Sequence, residues 1–227
     1  VLPLLLSYVS DDSLRQIIAQ MGLIPTNITF AVDILKSLLL VVVLFGGPIL
    51  DDLINSDSHA SIFNSPIDDL TALRGLRDLL VAPLSEELVY TSSIITILLQ
   101  STTVSTWTLI VLPPVFFSIA HIHHAYELYV NKMAPLKVII ISTLFQMLYT
   151  FLFGAFTDFI FLRQGNAWSC IITHSFCNLM GVPDFSVDTA KFKYWNIVYY
   201  SLLLLGMYGF KSLLYPLTTS TNLLRSC

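Results

Sequence analysis

The sequence predicts an all-α, polytopic helical bundle embedded in a membrane, and three observations carry that prediction. Charged residues make up only 11% of the 227-residue chain and hydrophobic residues 55%. A soluble domain usually draws on about 25% charged residues to cover its surface, so this chain has too few to face water. Mean hydropathy is +0.76. Apolar runs of the roughly 20 residues that a helix needs to cross a bilayer recur along the chain.

Each predicted span is such a run between polar breaks. The first covers about 30–50 and is followed by an acidic loop, 51–68, rich in Asp, Ser and Asn. The second begins near Leu79, after Arg74, Arg77 and Asp78, and reaches Leu99. The third covers about 107–128. The fourth starts near Pro135 and extends toward Phe161, long enough for its last part to tilt or lie at the interface. The fifth is short, 167–181, and the sixth covers 192–214. The stretch 1–26 has apolar runs broken at 10–12 and at Pro25, which raises the expected count to between six and eight helices. The chain begins at Val1 rather than Met, and its N-terminal part is expected to be incomplete. No repeat, heptad or low-complexity linker divides 1–227, so a single domain is the economical reading.

Charge and cysteine content exclude other classes. With 11 Lys+Arg against 15 Asp+Glu the net charge is −4, which offers no basic stripe for phosphates and excludes nucleic acid as a partner. The lipid bilayer is the expected surrounding. The odd set Cys170, Cys177 and Cys227 gives no disulfide framework and no Cys-x-x-Cys metal spacing. Basic residues outside alternate spans divide almost evenly, leaning slightly toward a cytoplasmic side that holds Arg74, Arg77, Lys132, Lys137, Lys191 and Lys193.

Against this apolar background three groups of polar residues stand out. An ionisable group in the hydrocarbon layer costs about 2.5 to 3.5 kcal/mol on insertion scales, so its presence points to function. The groups are Glu86 and Glu87; His121, His123 and His124; and His174 with Asn178. With alternating spans and ~1.5 Å rise per residue, Glu86, His121 and His174 each lie roughly 10 to 13 Å from the same face. They are therefore predicted to share one water-accessible cavity.

Spacing assigns provisional roles. Phe117 and His121 are four apart, as are His174 and Asn178, so each pair shares a helix face. A His and an Asn presented together suit donation to a developing oxyanion. Consecutive Glu86 and Glu87 point in different directions, one free to act as a base and the other to orient a neighbour. His123 and His124 read as an interfacial cluster that pairs with Glu127. Cys177, three residues after His174, reads as a buried, inert thiol rather than a nucleophile. The sequon Asn27-Ile28-Thr29 stands too near a span to carry weight.

Taken in order, the motifs resemble those of the type II CaaX prenyl endopeptidase family within the wider ABI (CPBP) intramembrane proteases. That family carries Glu-Glu-x-x-x-Arg, then Phe-x-x-x-His, then His-x-x-x-Asn on successive buried helices. Here they read Glu86-Glu87-Leu88-Val89-Tyr90-Thr91, then Phe117 to His121, then His174-Ser175-Phe176-Cys177-Asn178. Thr91 stands where the pattern usually has Arg; its hydroxyl donates one hydrogen bond to a carboxylate but not a bidentate pair.

The resemblance implies an eight-helix fold and removal of the last three residues from prenylated Cys-a-a-X termini at the endoplasmic reticulum membrane. Glu86 and His121 would activate water, His174 and Asn178 would hold the oxyanion, and Glu87, Thr91, Phe117 and His124 would support them. The implied substrates are C-termini of Ras-like small GTPases and a-factor-like precursors. No cofactor is required, while zinc stays open with Glu86, His121 and His174 as its ligand set. A membrane transporter or binding protein using the same residues as a proton or ion relay is the non-enzymatic alternative.

Overall fold

A computed structural model describes residues 2–9, 13–25, 28–55, 73–101, 103–183, 187, 189 and 192–224. Every regular element among them is helical: α1 (Leu2–Val9), α2 (Leu14–Gln20), α3 (Thr29–Leu44), α4 (Gly46–Asn55), α5 (73–99), α6 (Thr106–Ala120), α7 (Ile122–Val130), α8 (Leu136–Gln164), α9 (Ala167–Met180) and α10 (Trp195–Thr218). The predicted helical membrane bundle is the fold found. Among the described residues, 106–130, α8 and α10 are individually long and apolar enough to cross a membrane. The pair α3 and α4, bent by 66°, makes a fourth if the two count as one span.

Besides the first, bent between α3 and α4, two more of the six predicted spans take a different form. The second is helical throughout 73–99, but it alternates short α stretches with π-helical turns at Arg77–Val81 and Glu87–Ser93. The fifth, α9, has 14 residues. At ~1.5 Å per residue it covers roughly 21 Å, short of a hydrocarbon core of about 30 Å. The start of the predicted acidic loop is also helical. Asp51 in α4 accepts hydrogen bonds from Trp195 Nε1 at 2.5 Å and Asn55 Nδ2 at 2.7 Å. These partners hold it in helix; 56–72 lies outside the described residues, as do Asn27 and Cys227.

The helices gather into two compact units, one of Val1–Thr26, Glu86–Ala167 and Asn222–Cys227, the other of Asn27–Ser85 and Trp168–Thr221. In the first, α8 packs along α6. Gly154 makes this close approach possible: a Cβ there would stand 3.1 Å from Pro114 Cβ and 3.3 Å from the Phe117 ring. Ser92 donates to the Met21 carbonyl at 2.7 Å and so ties the later part of α5 to the end of α2. In the second unit α10 packs on α3 and α4. Gly206 lies against the Val43 and Leu44 carbonyls, where a Cβ would approach to 2.9 Å. Asp33 is buried within α3, yet it accepts from Ser220 at 2.5 Å and pairs with Lys36 at 3.5 Å.

Candidate active site

The two glutamates stand where α5 changes its hydrogen-bonding pattern. Ala82–Glu86 is α-helical and Glu87–Ser93 is π-helical. Single π turns inside α-helices concentrate at functional sites because the wider turn re-aims side chains. Here the π turn buries Glu87, Thr91, Ser92 and Ser93 together. Glu87 is 3% exposed, whereas Glu86 is half-buried. The two carboxyls differ in burial: Glu87 points inward, and its neighbour Glu86 keeps access to the outside.

Around them lies a crevice too narrow to hold a water molecule, so the water-accessible cavity expected from the sequence is closed here by tight helix packing. Glu86, Glu87, Tyr90 and Thr91 line it from α5, and Pro113, Pro114 and Phe117 from α6. Pro113 and Pro114 inside a helix remove two backbone donors, which leaves this wall apolar and without N–H groups. The third wall is Gly154, Thr157 and Asp158 of α8.

His121, expected to share a cavity with Glu86, does not line this crevice and meets it only through Phe117. Their rings meet edge to face at 4.7 Å, and Phe117 also packs against Tyr90 at 5.4 Å. The break between α6 and α7 falls at His121, whose Nδ1 lies 2.8 Å from the Phe117 carbonyl. A carbonyl only accepts, so Nδ1 carries the hydrogen and Nε2 keeps the lone pair needed to receive a proton or orient a water. His123 and His124 are exposed, and His124 lies 3.8 Å from Glu127, the interfacial pairing read from the sequence.

His174 and Asn178 belong to the other unit. His174 is 5% exposed on α9, and Asn178 one turn later is exposed. The Asn178 amide donates to the Asp78 carbonyl at 2.9 Å, which ties the end of α9 to the first π turn of α5. Cys170 and Cys177 on the same helix are both buried. Among the described residues, no three His, Cys, Asp or Glu side chains gather as a metal site would require.

The crevice therefore brings together Glu86, Glu87, Thr91 and Phe117, with His121 against Phe117, from the predicted set. Sequence reasoning passed over Tyr90, Thr157 and above all Asp158. A signal for Asp158 existed, because it is an acidic residue inside a 29-residue apolar helix, the same anomaly that singled out Glu86.

Comparisons with known proteins bear on the family of the chain. A family-level sequence model described as type II CAAX prenyl endopeptidase Rce1-like matches residues 68–180, the stretch that carries all three motifs. The chain is 35% identical over 210 residues to the CAAX prenyl protease 2 of Saccharomyces cerevisiae, covering 83% of this chain and 66% of that protein. It is 33% identical over 180 residues to the probable CAAX prenyl protease 2 of Schizosaccharomyces pombe, covering 79% and 66%. To the human CAAX prenyl protease 2 it is 35% identical over 156 residues, covering 66% and 47%. The chain thus spans about two thirds or less of the length of these relatives. No solved structure matches it. With the motif-bearing helices matched as a block and identity of a third or more sustained across most of its length, the chain belongs to the Rce1-like family of type II CAAX prenyl endopeptidases.

Proposed function

We infer that this protein is an intramembrane endopeptidase that removes the C-terminal tripeptide from prenylated Cys-a-a-X proteins. The observation that carries the reading is the half-buried Glu86 in a crevice it shares with Phe117, the ring against which His121 is held, in a chain of this family. Glu86 takes a proton from water as the water oxygen adds to the scissile carbonyl carbon, and His121 Nε2 orients that water. His174 and the second amide hydrogen of Asn178 stabilise the oxyanion. The intermediate collapses, the peptide C–N bond breaks, and the leaving amine takes up the proton held by Glu86.

Localisation follows from the same reading. Helices that expose apolar side chains over most of their length support a site within a membrane, where an isoprenoid resides, and the endoplasmic reticulum membrane is the proposed location. Ras-like small GTPases and a-factor-like precursors are the proposed substrates. The favoured mechanism draws on no cofactor.

The test is a paired kcat/KM measurement on Cys-a-a-X peptides that are identical except for a farnesyl thioether, with and without chelator. Burying the lipid gains about 0.8 kcal/mol per CH₂. Dependence on the isoprenoid by at least about two orders of magnitude, worth roughly 2.7 kcal/mol, is expected. Equal rates would point to a general membrane peptidase, and no cleavage of either peptide to a relay. Loss of activity with chelator, restored by zinc, would replace the metal-free mechanism.

A further inference from the structure

Among the described residues, the crevice that holds Glu86 is lined by three carboxyls, Glu86, Glu87 and Asp158, and by no Lys, Arg or His. Two of the three are deeply buried, Glu87 at 3% and Asp158 at 1% exposure. As carboxylates the two repel each other, and the Thr91 hydroxyl is the polar group that faces the Asp158 carboxyl across the crevice. Asp158 Oδ2 is buried with no hydrogen-bond partner among the described residues. Its neighbour Thr157 faces the same way, with Oγ1 3.4 Å from Thr91 Oγ1.

Packing alone does not account for such a group. A second acid beside a buried acid, in an apolar helix, is less stable than a leucine of similar size would be. Its placement on α8 is also rigid. The helix is unbroken α over 29 residues, and Thr157 back-bonds to the Gly154 carbonyl at 3.1 Å. A rigid acid facing a π turn is a support for whatever that turn presents.

We propose that Asp158 is a positioning residue: it braces Glu87 and Thr91 in the π turn and so fixes the direction in which the adjoining Glu86 presents its carboxylate. The inference rests on the endopeptidase reading. Glu86 and Glu87 are consecutive, so confining the rotamers of Glu87 and the turn beneath it confines the aim of Glu86.

The experiment measures kcat and KM of the full-length protein in detergent on a farnesylated Cys-a-a-X peptide, for the wild type, Asp158→Ala and Asp158→Asn. A misplacement of about 1 Å can cost about 10² in rate, so Asp158→Ala is expected to lower kcat between about tenfold and a hundredfold with KM within about twofold. Asp158→Asn keeps the shape and an acceptor for Thr91. It should return kcat to within about threefold of the wild type and unfold at the same temperature or higher. Wild-type kcat in Asp158→Ala, a loss confined to KM, or an Asn variant no better than Ala would each overturn the proposal. Should Asp158→Ala not give folded protein, Asp158→Ser takes its place with the same expected loss. A wild type that does not cleave the peptide would refute the endopeptidase reading; cleavage by the wild type with an unimpaired Ala variant would refute this inference alone.

Discussion

Helices α5 and α8 both carry acidic side chains among apolar neighbours, yet they treat their backbones in opposite ways. α8 runs as regular α-helix for 29 residues and carries Asp158 without a break in its ladder. α5 abandons the α pattern on both sides of Ala82–Glu86, with π turns before and after it. Carrying a buried acid therefore does not by itself distort a helix. What separates the two is that α5 must bury Glu87 and leave its immediate neighbour Glu86 accessible, and a wide turn starting at Glu87 achieves this. In this comparison α8 is a wall and α5 a presenting element.

Glu86→Gln tests that division most severely. The amide keeps the size and removes the base, and general-base catalysis is worth about 10² to 10⁴, so kcat should fall toward the upper end of that range with the protein still folded. Near-normal turnover of the farnesylated peptide would remove Glu86 from the mechanism and make α5 no more a presenting element than α8.

Deleting Val89 asks whether the π turn itself matters. Val89 is 51% exposed and lies inside the Glu87–Ser93 turn. Its removal would let the turn relax to the α register and swing Glu86 by about 100° relative to Thr91 and Ser92. Activity should drop by about 10³, since this displacement far exceeds the 1 Å that costs about 10². Val89→Ala, which keeps the register, should stay within about twofold of the wild type. A deletion variant that folds and retains activity would show that the π geometry is incidental.

Asn178→Ala probes the same helix from its other end. The side chain ties the first π turn to α9 through Asp78, and in the proposed mechanism it also donates to the oxyanion. Losing an oxyanion donor costs about 10² to 10³ in kcat with little change in KM. Losing the tether should lower the unfolding temperature as well. A fall in stability with kcat unchanged would reduce Asn178 to a structural clamp.

How far the sequence foretold these regions follows the same contrast. α8 was legible in type and nearly in extent, because the apolar run from Pro135 toward Phe161 has no polar break, and the helix continues only to Gln164 before left-handed Gly165 ends it. The presence of α5 was legible and its π turns were not, since hydrophobic periodicity over so few residues does not resolve 3.6 from 4.4 per turn. The Glu86, His121 and His174 motifs announced themselves by polarity in apolar runs. Asp158 and Asp33 met that criterion equally and were passed over, because neither stands in a repeated pair or next to a second ionisable group as Glu86 and His121 do. The 66° bend between α3 and α4 also escaped notice: the run through Phe45-Gly46-Gly47-Pro48 stays apolar, and composition does not report direction.

The smallest effect is expected at Cys177, and it bears on whether α9 supplies a nucleophile or only oxyanion donors. The thiol is 6% exposed, three residues from His174 and one from Asn178. A reactive cysteine needs its thiolate stabilised by a neighbouring cation, a helix N-terminus or a metal. Cys177 lies instead in the last turn of α9, where the helix dipole presents its negative end and disfavours a thiolate. In the proposed mechanism Glu86 activates the water, and Cys177 takes no part in making or breaking bonds. Cys177→Ser nearly preserves the volume, so kcat/KM on the farnesylated peptide should stay within about twofold, with a small fall in unfolding temperature from placing a hydroxyl in an apolar site. A folded Cys177→Ser protein without turnover would transfer the nucleophile to α9 and make Glu86 an accessory to thiol chemistry.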